Sequence, residues 1–220
     1  MLKFSFPENN DKDVLINLCK DTLRGTECYT ELMTDADFGD GAFIKGTDAD
    51  GNIKSLVFNN GDGFIPVLGE EFPPYVTFSE GNIMVYTSPY VPAGEAELTD
   101  GRRLQAFFLM ISESEKLSFD DERRYVVRRK RINRKLSAVF SLYDEEKTVS
   151  GTAVSAMNEK YALISDVFTR KEYRKKGLAE KCINTALSFI LKNGRIPFLI
   201  CNDDMCGYYE KAGFTYYGRL

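Results

Sequence analysis

Apolar and polar positions follow their most regular pattern between residues 137 and 168. Three apolar runs with strand-like character cover about 137–143, 148–157 and 161–168, and the breaks between them read DEEK and NEK. Short polar breaks of this composition are typical of tight turns between neighbouring strands. The pattern therefore predicts three consecutive strands joined by hairpin turns.

A helical period replaces this pattern after a basic, glycine-containing turn. Apolar residues three and four positions apart predict a helix at about 178–192, which ends at Asn193-Gly194 because glycine commonly follows the last helical residue. RIPFLICN then reads as a buried strand, MCGYYEKAGF as a short helix closed by Gly213, and FTYYGRL as a last strand. The order β-β-β-turn-α-β-α-β predicts a mixed α/β sheet flanked by helices.

The first half of the chain gives a less regular α+β pattern. DKDVLINLCKDTLRG has the apolar spacing of one helix ended by Gly25, and GAFIKGTDADGNIKSLVFNNG reads as a hairpin around an Asp-Ala-Asp-Gly turn. That turn is also similar to part of a calcium loop, but the ligand spacing of an EF-hand is missing. FIPVL and NIMVY read as strands, and GRRLQAFFLMISESE and SFDDERRYVVRRKRINRKL as helices.

Charge divides the chain into two parts. Residues 1–120 hold 9 Lys or Arg and 21 Asp or Glu, a net charge of −12, whereas residues 121–220 hold 20 and 12, a net charge of +8. A difference of this size predicts two units with different partners, divided at that point. The basic unit suits a polyanionic ligand. The acidic unit either attracts a cation or keeps the protein soluble.

Composition excludes several kinds of chemistry. The chain has no histidine, so Ser-His-Asp and Cys-His nucleophile systems and most catalytic metal sites are excluded, and no metal is expected. Five cysteines without a CxxC pair argue against a disulfide framework and a zinc site. No apolar run reaches the roughly 18 residues of a membrane helix, and the N-terminus lacks the apolar segment of a secretory signal, so a cytoplasmic protein without a membrane partner is expected.

The basic turn, VFTRKEYRKKGLA, has the features of an anion site. A turn that enters a helix exposes backbone N–H groups without partners, and the helix dipole adds positive potential there. Gly177 permits a positive φ and the close approach of a ligand, and the basic residues 174–176 add charge. A phosphate or pyrophosphate suits the turn. It is neither a P-loop nor a dinucleotide fingerprint, because Gly-Lys-Ser/Thr and GxGxxG are both absent.

Two spaced motifs resemble those of the GNAT superfamily of N-acetyltransferases. Arg174, Gly177 and Ala179 match the family's pyrophosphate signature, Arg/Gln-x-x-Gly-x-Gly/Ala, which lies between a strand and a helix. Further along, CNDDMCGYYEKAGF matches the family's Asn-(six residues)-Tyr-x-x-x-Gly-Phe segment, with Asn202 and Tyr209 in place. Two motifs in the right order carry more weight than either motif alone.

The resemblance, over roughly 135–220, implies a GNAT-like fold with a mixed, mostly antiparallel sheet. It also implies an acyl-CoA-dependent N-acetyltransferase that passes the acyl group of acetyl-CoA, or of another acyl-CoA, directly to an amine. The acceptor would be a small molecule or a peptide, through its N-terminus or a lysine, and a monomer or homodimer is expected. A non-catalytic acyl-CoA-binding sensor or scaffold stays open. A nucleic-acid-binding module is less in keeping with the negative net charge.

Family roles carried over by the resemblance place acetyl-CoA on the basic turn and on the preceding strand. Val167, Phe168 and Thr169 would pair with the pantetheine arm, and a strand N–H there would polarise the thioester carbonyl. Asn202 would contact the pantetheine arm or the leaving group. The pyrophosphate would be bound by backbone N–H groups of Arg174, Lys175, Lys176, Gly177, Leu178 and Ala179.

The same resemblance implies a catalytic acid and leaves the base open. Tyr209 would donate a proton to the departing CoA thiolate, which is chemically reasonable because a phenol and a thiol have comparable basicity. Asp166, at the end of the strand beside the expected thioester, is the best acidic candidate for the base, with a water relay or Glu159 as alternatives. Three neighbouring tyrosines are rivals for the acid: Tyr208, Tyr216 and Tyr217.

Two further segments lie outside the motifs. The run RRYVVRRKRINRK holds eight Lys or Arg between 123 and 135, and it reads as a solvated face with Val126, Ile132 and Leu136 packed inward. Attraction of the CoA phosphates and nucleic-acid binding are its alternatives. The first half lacks Arg-x-x-Gly-x-Ala and is predicted to be a degenerate copy of the same fold. Such a copy would cover the acceptor cleft, and its acidic surplus would favour a cationic amine.

Overall fold

Two β-sheets organise the protein in the computed structural model, which describes residues 2–34, 42–61 and 63–220. The strands are β1 (Lys3–Ser5), β2 (Phe43–Thr47), β3 (Ile53–Asn59), β4 (Phe64–Leu68), β5 (Asn82–Tyr86), β6 (Glu97–Leu98), β7 (Ala138–Asp144), β8 (Lys147–Met157), β9 (Tyr161–Thr169), β10 (Ile196–Cys201) and β11 (Phe214–Arg219). The helices are α1 (Lys12–Cys19), α2 (Thr26–Met33), α3 (Gly101–Ile111), α4 (Phe119–Asn133), α5 (Leu178–Lys192) and α6 (Cys206–Lys211).

The second sheet confirms the predicted mixed, mostly antiparallel arrangement. Its described strands run in the order β11-β5-β10-β9-β8-β7-β6, and only the β9–β10 pair is parallel. The three predicted strands, now β7, β8 and β9, agree within one residue, and α5 has the predicted bounds. The helical spacing was a good guide because Leu187 and Ile190 of α5 are buried against Ile164 and Leu199 of the sheet.

The first half repeats the element order of the second. The elements β1-α1-α2-β2-β3-β4 and β6-α3-α4-β7-β8-β9 each place four strands side by side in chain order, and all of these neighbours are antiparallel. We call the four-stranded sheet with α1 and α2 the first lobe, and the seven-stranded sheet with α3 to α6 the second lobe. After β4 the described chain has no counterpart of α5, and β5 instead enters the second lobe between β10 and β11.

The predicted division of the chain at residue 120 falls inside α4. Before that point, β5 and β6 already belong to the seven-stranded sheet, and Phe107 and Phe108 of α3 are fully buried against Val139 of β7 and Ala153 of β8. The change in charge and the change of sheet therefore occur at different places in the sequence. Division into two separate units stays a prediction.

The N-terminal helical segment differs from its prediction. The sequence predicted one helix ended by Gly25, whereas α1 ends at Cys19 and Gly25 precedes a second helix, α2. The inward face of α2 includes threonines, whose buried hydroxyls bond to carbonyl oxygens: the Thr30 hydroxyl donates to Thr26 at 2.8 Å. Such a face has no apolar period, so the pattern missed the helix. The predicted hairpin is present as β2 and β3, although its first residue, Gly41, lies outside the described residues.

Close packing of α3 on β8 gives a first prediction. A methyl group added at Gly151 would lie 2.7 Å from the Phe107 ring, closer than carbon atoms pack. Gly151→Ala should lower the free energy of unfolding by about 1–3 kcal/mol, as overpacked cores do. Gly218→Ala, in β11, meets open space and serves as the control with a near-normal urea midpoint. Equal midpoints for the two variants would contradict the packing described for α3.

Candidate functional site

The strands β9 and β10 pair only over the first four residues of each. Their parallel register runs from Tyr161 opposite Ile196 to Ile164 opposite Leu199, and β9 then continues to Thr169 without a partner on β10. The backbone at the end of β9 is therefore an open strand edge beside a gap in the sheet. The residues predicted to pair with the pantetheine arm, 167–169, lie on this edge.

A bulge interrupts β9 at Asp166. The register of β9 on β8 passes from Ser165 opposite Ala153 to Phe168 opposite Gly151, so β9 has one extra residue, and Asp166 has a positive φ of 52°. Residues three apart in a regular strand lie on opposite faces. The bulge changes this, because Ile164 and Val167 both pack in the core beneath α5.

The carboxylate of Asp166 is turned towards α4. Its two oxygens accept hydrogen bonds from Arg124 at 3.1 Å and from Arg128 at 2.9 Å. Arg128 is only 8% exposed, and its burial lowers the pKa of the guanidinium to about 10, an effect that the neighbouring carboxylate opposes. Arg128 therefore remains charged at neutral pH. The Asp166 predicted as a base is thus a member of an ion-pair cluster.

Glu159, the alternative base, lies at the other end of β9. It belongs to the turn between β8 and β9, where its backbone N–H donates to the carbonyl of Lys20 in the first lobe. The part of β9 from Tyr161 to Asp166 alone spans roughly 16 Å at about 3.3 Å per residue. Glu159 is therefore too distant to take a proton directly at the bulge.

The basic turn presents a row of free backbone donors. A short 3-10 helix, Lys171–Tyr173, leads into two residues with positive φ, Lys175 at 62° and Gly177 at 72°. Six consecutive N–H groups, residues 175–180, have no hydrogen-bond acceptor in the described part of the chain. The first bond of α5 runs from Lys181 N–H to Gly177 O at 3.2 Å. The turn and helix start fit a pyrophosphate, because each free N–H can donate to an anionic oxygen.

Side chains of the turn fold back onto the protein to different degrees. Arg174 donates from Nε to the Thr169 carbonyl at 3.0 Å, and its guanidinium lies 5.7 Å from the centre of the Phe168 ring. The Lys176 ammonium lies 5.0 Å from the ring centre of Tyr173. Arg174 thus fixes the exit of β9, while the backbone of the turn stays exposed.

Asn202 and Tyr209 lie where β10 and α6 meet. Asn202 follows the last residue of β10 and is exposed. Tyr209 in α6 is only 8% exposed and lies edge-on to Tyr208 and Phe214. Burial raises the pKa of the Tyr209 phenol to about 12. Its hydroxyl has no hydrogen-bond partner among the described residues. The rival tyrosines are far more exposed, 42% for Tyr208, 53% for Tyr216 and 66% for Tyr217.

Two features of the site were not predicted. Cys201 and Cys206 lie on either side of Asn202 with their Sγ atoms 3.8 Å apart, and burial, together with the Cys206 thiol, raises the pKa of Cys201 to about 12. A cavity of about 280 Å³ opens beside Phe168 on the α3 side of β9. Its lining includes Met110, Glu113, Ser114, Glu115 and Arg170. The segment after α3 has no motif, so only the fold could bring it here.

The basic run on α4 is only partly a solvated face. Arg124 and Arg128 pair with Asp166, as described above, and Arg131 pairs with Glu31 of α2 at 2.6 Å. At least three of the eight cations therefore already have carboxylate partners among the described residues. The prediction that Val126 packs inward is wrong, because it is 49% exposed, whereas Ile132 and Leu136 are at least partly buried.

Two classes of feature are absent from the described residues. No helix among them has the length and apolar character needed to cross a bilayer. They also contain no cluster of three or more Cys, Asp or Glu side chains that would hold a metal ion.

Comparison with protein families gives a match over the second half of the chain. The model of the acetyltransferase (GNAT) family matches residues 104–214, which is just over half of the chain. The match begins within α3 and contains the bulge, the basic turn and Tyr209. A search of curated protein sequences finds no match.

Solved structures extend the similarity of fold to the first lobe. A GNAT-family acetyltransferase from Colwellia psychrerythraea is 12% identical with a TM-score of 0.62, and the alignment covers 99% of this chain and 97% of that one. A tandem GNAT protein from the clavulanic acid biosynthesis pathway is 14% identical with a TM-score of 0.59, over 100% and 96% of the two chains. These matches confirm the predicted fold class, with a two-lobed GNAT-like arrangement.

A third structure matches over a shorter length. An acetyltransferase assigned to the GNAT family from Novosphingobium aromaticivorans DSM 12444 is 16% identical with a TM-score of 0.51, over 64% of this chain and 60% of that one. The present chain therefore spans less than two thirds of the length of that protein. At identities this low, all three likenesses concern the fold alone.

Proposed function

Because the chain belongs to the GNAT acetyltransferase family, we propose that it transfers an acetyl group from acetyl-CoA directly to an amine. One observation carries the proposal: an open strand edge, 165–169, leads into a turn and helix start with six free backbone N–H groups. The edge has the hydrogen-bonding pattern for the amides of a pantetheine arm, and the free donors suit the pyrophosphate that follows it.

The residues of the site would divide the binding between them. Backbone N–H groups at 175–180 hold the pyrophosphate, and residues 167–169 pair with the pantetheine arm. Acetyl-CoA supplies a thioester whose carbonyl develops negative charge during attack. Backbone N–H groups beside the bulge at Asp166 stabilise that charge, because a fixed donor in a partly dry site needs no reorganisation. Asn202 contacts the arm near the sulfur.

Tyr209 would act as the acid that protonates the departing thiolate. A phenol whose pKa is about 12 is a weak acid towards a thiol in water. The site itself changes that comparison, because burial also disfavours thiolates. Cys201, beside Tyr209, has its own pKa raised to about 12 by burial and by Cys206. Burial in these surroundings therefore raises the pKa of a thiol as well as that of a phenol, which makes the proton transfer less unfavourable than it is in water.

The acceptor amine would enter through the cavity beside Phe168. Its walls come from the end of α3 and the following loop, on the face of β9 opposite α5. Glu113, Glu115 and Glu172 line it together with Arg170 and Lys171. Glu113 lies within 4 Å of Lys171, but Glu115 forms no ion pair in the described chain. Glu115 would therefore attract the ammonium form of a small-molecule or peptide amine.

Charge reversal at Glu115 tests this acceptor route. Glu115→Arg should raise the KM for the amine about three- to tenfold, since one exposed charge contributes on the order of 1 kcal/mol. The KM for acetyl-CoA should stay unchanged. Glu70→Arg, at an exposed carboxylate after β4 in the first lobe, is the control. An unchanged amine KM in Glu115→Arg would move the acceptor elsewhere.

Two measurements test the function itself. Acetyl-CoA at about 100 times its dissociation constant should stabilise the protein by roughly 2.7 kcal/mol, which corresponds to a thermal shift of roughly 5–10 °C. Release of the CoA thiol should then depend on an added amine from a panel of polyamines, amino sugars and peptides. A shift without release under any amine would favour an acyl-CoA sensor. No shift at all would contradict the proposal.

A further inference from the structure

We propose that Asp166 is a positioning residue, which fixes the bulge of β9 through its ion pairs with Arg124 and Arg128, and that it does not take the proton from the amine. The inference rests on the proposed function for its catalytic consequence. Its structural part concerns the bulge alone and can be tested without any turnover.

The backbone at Asp166 has a positive φ of 52°. A positive φ is unfavourable for residues with a side chain, and Asp is among the few that tolerate it when the side chain is held locally. Both oxygens of this carboxylate are held, one by each guanidinium. The ion pairs therefore stabilise a conformation that the strand alone would not favour.

Both arginines also contact groups outside the bulge. Arg128 is nearly buried, and its Nη1 lies 3.4 Å from the Ser137 hydroxyl, which in turn donates to the carbonyl of Val154 on β8. Arg124 is more exposed and also lies 3.8 Å from Asp121 on its own helix. The cluster thus joins α4 to the neighbouring strand as well as to the bulge, so the position of α4 and that of the bulge are linked.

The bulge determines which way the side chains at the open edge of β9 point. Because of the extra residue, Val167 packs beneath α5 while Phe168 packs against α3. If the strand lost the bulge, Val167 and Phe168 would exchange faces of the sheet. The backbone N–H groups at the open edge would then point in the opposite direction. Loss of the ion pairs should therefore reduce stabilisation of the transition state more than binding of acetyl-CoA, which depends mainly on the basic turn.

The geometry also argues against a base role. A base must turn an oxygen towards the amine, whereas this carboxylate is turned towards α4, where each of its oxygens accepts a hydrogen bond from a guanidinium. The same face of this helix also carries Arg131, which forms an ion pair with Glu31 of α2. The first lobe therefore supports the helix that carries Arg124 and Arg128.

The test compares Asp166→Asn with Arg124→Gln, Arg128→Gln and the double variant Asp166→Asn/Arg128→Gln. Each single variant should lower kcat about tenfold with little change in the KM for acetyl-CoA. The acid limb of the pH–rate profile should keep its position, and the double variant should be little worse than either single variant, because the residues act as one unit. Arg129→Gln, at an exposed arginine of α4 without an ion pair in the described chain, should match the wild type.

A second readout does not depend on catalysis. Amide hydrogen exchange at 165–168 should become faster in Asp166→Asn and Arg124→Gln and stay unchanged in Arg129→Gln; Arg124 is exposed enough for its variant to fold. Unchanged amide hydrogen exchange would overturn the proposal that these ion pairs fix the bulge. An acid limb lost only in Asp166→Asn, with both arginine variants active, would overturn it in favour of the base. If acetyl-CoA neither binds nor reacts, the proposed function fails. Amide hydrogen exchange then still tests whether the ion pairs of Asp166 fix the bulge.

Discussion

Glutamate at Gly177 should remove nearly all of the thermal stabilisation that acetyl-CoA gives the wild-type protein. The residue has a φ of 72° and stands in the middle of the row of free N–H groups, with open space where a side chain would begin. A carboxylate there would meet the pyrophosphate charges at close range and strain the turn. At an energy cost of about 2–3 kcal/mol, affinity falls about 100-fold. At the same acetyl-CoA concentration, the shift of roughly 5–10 °C should fall to about 1 °C.

The other end of the same helix supplies the matched control. Gly194 has a φ of 69°, is exposed and also faces open space. Gly194→Glu therefore introduces the same charge and the same backbone strain after α5 rather than before it. Each variant is compared with its own ligand-free melting temperature, so lost stability does not affect the comparison. Equal shifts in the two variants would remove the turn as the pyrophosphate site.

The sequence predicted those parts of the protein in which local pattern and tertiary packing agree. The apolar residues of α5 repeat at the helical period because that face is buried on the sheet, so its bounds at 178–192 could be predicted. The turn before it was recognisable for a different reason. A glycine at positive φ and a run of cations are local requirements of an anion site, and the sequence shows them directly.

Features that depend on contacts between distant segments left little trace in the pattern. The helix α2 was missed because threonine hydroxyls, rather than apolar groups, line much of its buried face. The position of β5 between β10 and β11 depends on a strand from the first half joining the second lobe's sheet, which no period reveals. Asp166 looked like a free carboxylate because its partners, Arg124 and Arg128, are some 40 positions away in the sequence.

Phenylalanine at Tyr209 should lower kcat at least about 100-fold while leaving the KM for acetyl-CoA near its wild-type value. Only the hydroxyl is lost, and the edge-on ring contacts with Tyr208 and Phe214 remain. A general acid contributes roughly 10²–10⁴-fold to a rate, because without it the thiolate must leave as an anion in a partly dry site. Tyr208→Phe removes a hydroxyl from the adjacent, more exposed residue and should keep at least half of the activity.

The pH dependence sharpens the same prediction. Burial raises the pKa of Tyr209 in the folded protein to about 12, above the ordinary value of 10, so the phenol keeps its proton across the neutral and moderately alkaline range. Its protonated form therefore supports the fold fully below pH 10, and that contribution is lost as the pH rises from 10 towards 12.

Activity should rise with pH as the amine loses its proton, with no decline from Tyr209 below about pH 10. Wild-type activity that falls with an apparent pKa of 8–9, together with a Tyr209→Phe variant within threefold of the wild type, would assign the acid to another group. Cys206, whose Sγ lies 3.8 Å from that of Cys201, would then be the next side chain to replace.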